Sequence, residues 1–152
     1  MSITLFDLTY RLSRALGGIT EGVATGGSTT TLSDTVERTE AATQWDGGTV
    51  WVLYDAAGTG AAPQGEYSSV TSYTTPTLTL RSTLTAAIAS GDRYALGNLR
   101  YPLQLLIQKI NEALGVMEIT DTTSIATVTD KTEYSLPAGV LDLKQVWIQS
   151  NN

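Results

Sequence analysis

The residues best placed to hold a phosphate group form a glycine-rich loop after an apolar run, Gly58-Thr59-Gly60-Ala61-Ala62-Pro63-Gln64-Gly65. A dinucleotide-binding turn requires G-x-G-x-x-G at the start of a helix, and here the sixth position is Pro63. A P-loop requires Gly-Lys-Ser/Thr at its end, and this loop contains no lysine. The following residues, EYSSVTSY, have a strand pattern, whereas a phosphate site needs a helix N-terminus. The sequence therefore predicts a wide, mobile hairpin loop that contacts a neighbour.

Carboxylates are the next candidates, because the chain has no histidine and no cysteine for nucleophilic or zinc chemistry. A pair of carboxylates can hydrolyse glycosides, and a cluster can bind calcium. The chain lacks a D-x-D-x-D-G loop, and turn chemistry alone favours aspartate at several of these positions. We therefore expect solvated turns, no enzymatic activity, no metal and no cofactor. The carboxylates concerned are Asp34, Glu37, Glu40, Asp46, Asp55, Glu66 and Asp92.

Aromatic side chains offer a third kind of chemistry, the stacking of a sugar or a base. The candidates are Trp45, Trp51, Tyr54, Tyr67, Tyr73 and Tyr94. Trp51 and Tyr54 lie in an apolar run, so we expect them in the core. Trp45 and Tyr67 are the better candidates for exposure, which leaves a glycan- or receptor-binding module as the alternative function.

Length and charge exclude several broad classes of protein. The 152 residues suffice for one ordinary domain, and 41% of them are hydrophobic, so a core can form. The net charge of −6 argues against ordinary nucleic-acid binding, which requires clustered basic side chains. No apolar run approaches the ~20 residues of a membrane span, and the N-terminal residues do not have a signal-peptide pattern. We expect a soluble protein that is made and used without export.

Two amphipathic helices are predicted around these candidate residues. Thr4 and Asp7 form a T-x-x-D capping signal before a helix over residues 4–16, which ends at Gly17-Gly18. Its apolar stripe packs either on its own domain or on a neighbouring subunit. Pro102 precedes a second helix over residues 102–114, because proline suits a first helical turn. The two stripes consist of Leu5, Leu8, Leu12 and Leu16, and of Leu103, Leu106, Ile107, Ile110 and Leu114.

Strand patterns replace the helical period between the two helices. The predicted strands are Thr29–Leu32, Thr49–Asp55, Glu66–Tyr73, Thr77–Arg81 and Asp92–Leu96, with a further candidate at Gly22–Thr25. Both alternating sets of Thr49–Tyr54 are apolar, which predicts a central strand covered on both faces. Thr77–Arg81 alternates cleanly, as a half-exposed strand does.

The C-terminal part of the chain is predicted to add more β structure. Ser124–Val128 and Glu133–Leu136 flank a polar turn, and Leu143–Ile148 forms a last strand whose apolar side chains need a partner or further chain to cover them. The expected fold class is therefore α+β. An antiparallel β-sandwich or barrel-like module (19–98) lies between helical segments 1–18 and 99–116, and a β segment (117–152) with a hairpin and a strand follows.

The residue pattern of the β module resembles that of a module in tailed-bacteriophage virion proteins. The resemblance covers about residues 18–98 and consists of structural residues. The patterns are G-x-A-T, TTL-x-D-T, GGT followed by apolar residues, G-E-x-x-x-V-x-x-Y and GD-x-Y-x-L. They stand at Gly22–Thr25, Thr30–Thr35, Gly47–Leu53, Gly65–Tyr73 and Gly91–Leu96. The segment YPLQLLIQKINEALG resembles the helices of phage head–tail connector (adaptor) proteins.

This resemblance implies a non-enzymatic subunit of a homo-oligomeric ring at the head–tail junction of a virion, made in the bacterial host cytoplasm. The ring would bind the portal protein and tail or neck proteins, without a membrane, and its acidic wall would let DNA slide past without specific binding. Adaptors are often mostly helical, and the large β module departs from that pattern, so a fibre or baseplate position stays open. The implied contacts are Leu5, Leu8, Leu12, Leu16, Leu103, Leu106, Ile107, Ile110, Leu114, Gly58, Gly60, Pro63, Val146, Trp147 and Ile148.

Overall fold

The computed structural model describes residues 3–116, which form two helices and a seven-stranded antiparallel sheet. The predicted α+β class is confirmed for this part of the chain. The predicted C-terminal hairpin and strand, with Val146, Trp147 and Ile148, lie outside the described residues. The elements are α1 (Leu5–Leu16), β1 (Ile19–Val23), β2 (Gly26–Gly27), β3 (Thr31–Ser33), β4 (Thr49–Tyr54), β5 (Tyr67–Thr74), β6 (Thr77–Leu80), β7 (Arg93–Gly97) and α2 (Leu103–Val116).

The predicted elements between residues 4 and 116 are all present, with bounds that differ by one or two residues. The exception is the candidate strand Gly22–Thr25, which is wrong as a single strand. β1 ends at Val23 and β2 begins at Gly26, so the candidate spans the junction between two strands. Ala24 and Thr25 at this junction face different partners, because Ala24 N–H bonds Asp92 O and Thr25 N–H bonds Ser33 O, both at 2.8 Å.

The predicted capping signal of α1 is confirmed. The Asp7 backbone N–H donates to the Thr4 hydroxyl at 3.2 Å, and the Asp7 carboxylate accepts the Thr4 backbone N–H at 3.0 Å. These hydrogen bonds satisfy two of the donors that a helix N-terminus leaves free. They also favour the charged carboxylate, so the bond from the Thr4 backbone, and then that from its hydroxyl, lowers the pKa of Asp7.

The sheet has the strand order β1-β7-β4-β5-β6-β3-β2. β4 is the central strand that the sequence predicts, and its two faces enter two different cores. Val50 and Val52 point into the larger core, on one face of the sheet. Trp51 points to the opposite face, beneath the helices. The alternation predicted for β6 is also confirmed, since Leu78 and Leu80 are buried and the intervening threonines are half-buried.

The residues of α1 that are buried most deeply against the sheet are small and polar, and Phe6, Tyr10 and Leu12 pack around them, partly buried. Thr9 and Ser13 are its buried residues, and the Thr9 hydroxyl accepts a hydrogen bond from the Trp51 indole N–H at 3.1 Å. The indole ring fills the space between helix and sheet so closely that a Cβ on Gly97 would lie 2.9 Å from it. A large side chain at position 9 or 13 would not fit in this space.

Replacing Thr9 by valine tests the contact between α1 and the sheet. Thr9→Val preserves the shape of the side chain but leaves the buried Trp51 N–H without its acceptor. We expect the free energy of unfolding to fall by about 1–3 kcal/mol, the typical cost of a buried unsatisfied donor. Urea denaturation followed by circular dichroism measures the change. Thr9→Ser retains the hydroxyl and serves as the control, and equal stabilities for Thr9→Val and wild type would contradict the assignment.

Candidate functional site

The glycine-rich loop joins β4 to β5, which pair in antiparallel orientation, so no helix follows it to receive a phosphate. Consecutive turns organise the loop: Ala61 N–H donates to Gly58 O at 3.1 Å, and Gln64 N–H to Ala61 O at 2.9 Å. The Gly60 N–H donates to the Gln64 side chain at 2.8 Å, which removes a donor that a phosphate would need. Pro63 is buried, Gly58 is half-buried, and Gly60 is the exposed member of the three predicted contact residues.

The carboxylates serve as acceptors for the backbone of turns. Asp92 accepts the N–H groups of Ala56 at 2.9 Å and Ala89 at 2.8 Å, and Asp46 accepts the N–H of Tyr73 at 2.6 Å. Their predicted role in turns agrees with this arrangement, but the expectation of solvated side chains is wrong for three of them. In these turns the carboxylate lies inside the protein, where backbone N–H groups replace water as its hydrogen-bond donors. The buried aspartates are Asp34, Asp55 and Asp92.

Asp34 is the most completely enclosed of these carboxylates. Its Oδ1 accepts the N–H groups of Val36 at 3.0 Å and Glu37 at 2.9 Å, and its Oδ2 accepts the Tyr94 hydroxyl at 2.7 Å. Gly22 approaches so closely that a Cβ there would lie 2.7 Å from the Tyr94 hydroxyl oxygen. Both carboxylate oxygens are therefore engaged inside the fold, in three hydrogen bonds.

These three residues come from three separate patterns of the phage-like module. Gly22 begins G-x-A-T, Asp34 is the acid of TTL-x-D-T, and Tyr94 is the aromatic residue of GD-x-Y-x-L. The side chains of Asp34 and Tyr94 meet beside the backbone of Gly22, although up to 72 residues separate the three along the chain. The patterns that carry the resemblance thus specify a buried contact of the fold.

Trp45, one of the two candidates for an exposed stacking residue, is buried. The Arg38 guanidinium lies over its ring, 5.6 Å from the ring centroid, and contacts the Glu40 carboxylate at 3.1 Å. The other Glu40 oxygen accepts the Tyr73 hydroxyl at 3.2 Å. Sequence reasoning missed the burial of Arg38, because nothing in the residue pattern distinguishes a buried arginine from a solvated one.

The other candidate for stacking, Tyr67, is half-buried against the helices. Its ring centroid lies 6.4 Å from that of Phe6, and Phe6 stacks in turn on Tyr10 at 6.3 Å. Tyr54 lies at the exposed end of β4, contrary to its predicted place in the core. The predicted aromatic residues therefore serve mostly in packing, and the structure does not bring them together on one surface.

Metal-ligating side chains are not grouped anywhere in residues 3–116: no set of three or more lies close enough to hold an ion. The carboxylates are spread over separate segments, and those of Asp34, Asp46, Asp55, Glu66 and Asp92 accept backbone N–H groups. Neither described helix is both long enough and apolar enough to cross a membrane.

The surface with the clearest capacity for binding is the helical layer, defined as α1 and α2 on the Trp51 face of the sheet. Leu106 of α2 packs with Trp51 and Ala95 in the smaller core. The helical layer leaves several large apolar side chains exposed, and Leu114 is 47% exposed. The others are Leu5, Leu16, Leu105 and Val116.

The predicted contact residues of the helices fall into three groups on this layer. Leu5, Leu16 and Leu114 are exposed; Leu8, Leu12 and Ile107 are half-buried. Leu103, Leu106 and Ile110 are buried within the chain itself, so they belong to the core and not to the surface. Leu105 is exposed but stands outside the predicted stripe, because the sequence pattern marks the inward face of a helix and not its apolar outward positions.

An open groove of about 470 Å³ adjoins the helical layer at the first turn of α1. Leu5, Phe6, Leu53 and Tyr67 supply its apolar lining, and Gly60 and Gln64 of the loop lie on its other side. The groove therefore brings Gly60, one of the three predicted loop contacts, and Leu5, the start of the leucine stripe, to one place on the surface.

Comparison with known proteins adds nothing to these geometric observations. No protein-family model matches the chain, and no curated protein and no solved structure matches it.

Tyr94 allows the buried contact with Asp34 to be tested by alkaline titration. Burial, and then the hydrogen bond to Asp34, raises the pKa of Tyr94 above its usual value of about 10. The folded state keeps the phenol protonated while the unfolded state releases the proton, so stability falls as pH rises above about 10. We expect Tyr94→Phe to lose less stability than wild type between about pH 9 and 11, measured by urea unfolding.

Tyr54→Phe, which removes a hydroxyl at an exposed position, is the matched control and is expected to follow the wild-type profile. An equal alkaline loss of stability in Tyr94→Phe and wild type would show that the phenol ionises in the folded state.

Proposed function

We propose that this protein is a non-enzymatic structural subunit of a tailed-phage virion, and that it forms a head–tail adaptor or neck ring between portal and tail. The observation that carries the proposal is the apolar surface of the helical layer, with Leu5, Leu16 and Leu114 exposed. Burying such side chains between subunits stabilises an assembly by about 1.5–3 kcal/mol per leucine. The resemblance of the second helix and of the β module supports the same assignment.

The distribution of charge supports an orientation for such a ring. The helices and their flanks, residues 4–16 and 99–116, contain four basic and two acidic residues, a net charge of +2. The β module, residues 19–98, contains three basic and eight acidic residues, a net charge of −5. We propose that the helical layer contacts the portal and neighbouring subunits, and that the acidic module faces the DNA channel, where like charge keeps DNA from adhering.

We also propose a barrel-like closure of the β module. The two terminal strands of the sheet, β1 and β2, are consecutive in the chain and are joined by only Ala24 and Thr25. This short connection brings the two ends of the sheet together at Ala24 and Thr25, whereas the outer side of β1 before this junction stays unpaired within residues 3–116. A module joined at this junction is a rigid unit, which suits a repeated wall element of a ring. The segment 117–152 remains part of the proposal as a β hairpin and strand completed by a partner.

The oligomeric state distinguishes this proposal from the alternative of a fibre or baseplate module that binds a glycan. We expect rings of high rotational symmetry, by mass photometry and negative-stain microscopy, with the chain alone or mixed with the portal protein of a candidate phage. A trimer, or a monomer that does not bind portal protein, would contradict the adaptor assignment. Binding to a glycan panel would support the alternative.

Substitutions in the helical layer test the surface itself. Leu16→Lys and Leu114→Lys add a charge at exposed positions, so we expect folding to be retained and association to weaken by ~10-fold or more. Val36→Lys, on the β module and 70% exposed, is the control and is expected to assemble as wild type does. Unchanged association of both leucine variants would exclude the helical layer as the contact surface.

A further inference from the structure

On its inner side, β1 pairs with β7 along its whole length. Ala24 N–H donates to Asp92 O at 2.8 Å, and Asn98 N–H donates to Gly18 O at 3.3 Å, at the two ends of the ladder. The register between these ends is continuous and without a bulge. The even-numbered residues of 18–24 are therefore those that direct their backbone N–H and C=O groups toward β7.

Among the described residues, 3–116, nothing pairs with the outer side of β1, which is therefore a sheet edge in this part of the chain. Because alternate residues of a strand direct their backbone groups in opposite directions, Ile19, Glu21 and Val23 direct theirs away from the sheet. Within residues 3–116, β1 pairs with β7 alone, and no other described group bonds these N–H and C=O groups. Natural proteins usually cover or blunt such an edge, because it is a template for another strand.

A groove of about 590 Å³ lies over the C-terminal half of β1 and reaches this edge. The Val36–Glu37 turn borders it on one side, and the segment from Ser90 to Arg93 on the other. Val23 is 49% exposed and Val36 is 70% exposed in this region. The groove thus offers apolar contacts beside a row of unpaired backbone groups, the two components that bind an added strand.

The charged residues that line the groove determine which charge a bound strand should carry. Glu21 and Glu37 line it, and the one cation of the lining, Arg93, already lies 3.8 Å from the Glu21 carboxylate. The surrounding β module carries a net charge of −5, from three basic and eight acidic residues. An added strand with lysine or arginine would be attracted to this edge, and an acidic strand would be repelled.

We infer that the outer edge of β1 is a pairing site for an extended segment of a partner protein, with β-branched apolar side chains and lysine or arginine. A second copy fits less well, since antiparallel pairing of two β1 strands about Glu21 would place like charges opposite each other. The edge at the far end of the sheet, β2, has only two residues and offers no comparable template. This inference is independent of the helical layer and of ring formation.

Hydrogen exchange of the full chain, followed by NMR at single amides, is the first test. In the free protein we expect slow exchange at Thr20 and Gly22, which face β7, and fast exchange at Ile19, Glu21 and Val23. Slow exchange at the second set would mean that the edge is already paired, and it would overturn the inference.

The second test adds the peptide acetyl-Lys-Thr-Val-Thr-Val-Thr-Lys-amide as a probe. Its binding is expected to slow exchange at Ile19, Glu21 and Val23. The same peptide with glutamate in place of lysine, or with N-methyl groups on alternate amides, is expected to bind at least ~10-fold more weakly. No binding of the lysine peptide at millimolar concentration, or equal binding of all three peptides, would overturn the inference.

Variants of Val23 locate the binding to this edge. Val23→Pro removes one outward N–H without touching the bonds to β7, and it is expected to weaken peptide binding by ~10-fold. Val23→Thr keeps the N–H and the β-branched shape, and it is the matched control. Equal binding of both variants would place the peptide elsewhere. Self-association that Val23→Pro abolishes would identify a second copy as the occupant and overturn the assignment to a partner protein.

Discussion

The burial of Trp51 beneath the helices is the interaction on which the described structure depends. The indole lies on the central strand, fully excluded from water, with its N–H directed at Thr9 of α1. Gly97 on the adjacent strand provides the space for the ring, since a Cβ there would lie 2.9 Å from it. One large side chain thus explains why the first helix places small polar residues, Thr9 and Ser13, at its most deeply buried positions.

A second constraint is the use of buried carboxylates to organise turns. Asp34, Asp55 and Asp92 lie inside the module and accept backbone N–H groups that turns would otherwise leave unsatisfied. The acidic composition of the module is therefore partly structural. These carboxylates stand in separate turns, and the described part of the chain has no group of three or more metal-ligating side chains.

Much of the fold could be predicted because it depends on local signals. The capping box of Thr4 and Asp7, the apolar alternation of Thr49–Tyr54 and the stripe after Pro102 each act within a few residues, so pattern and spacing suffice. The contacts that were missed join distant parts of the chain. Nothing near Asp34 indicates that Tyr94 will meet it, and no pattern around Trp45 shows that Arg38 will cover its ring. Which apolar residues of a helix are exposed likewise depends on which of its faces packs against the rest of the fold.

The position of β7 has a consequence for the order in which the chain folds during synthesis. Residues 93–97 lie between β1 and β4 in the sheet, although β1 is made more than seventy residues earlier. Until β7 leaves the ribosome, β1 has no described neighbour on its inner side, and the Trp51 face lacks Ala95. Pairing over such a sequence separation carries a large loop-closure cost, so the sheet is completed late. A chain interrupted before residue 93 would expose central strand edges and would be prone to aggregate.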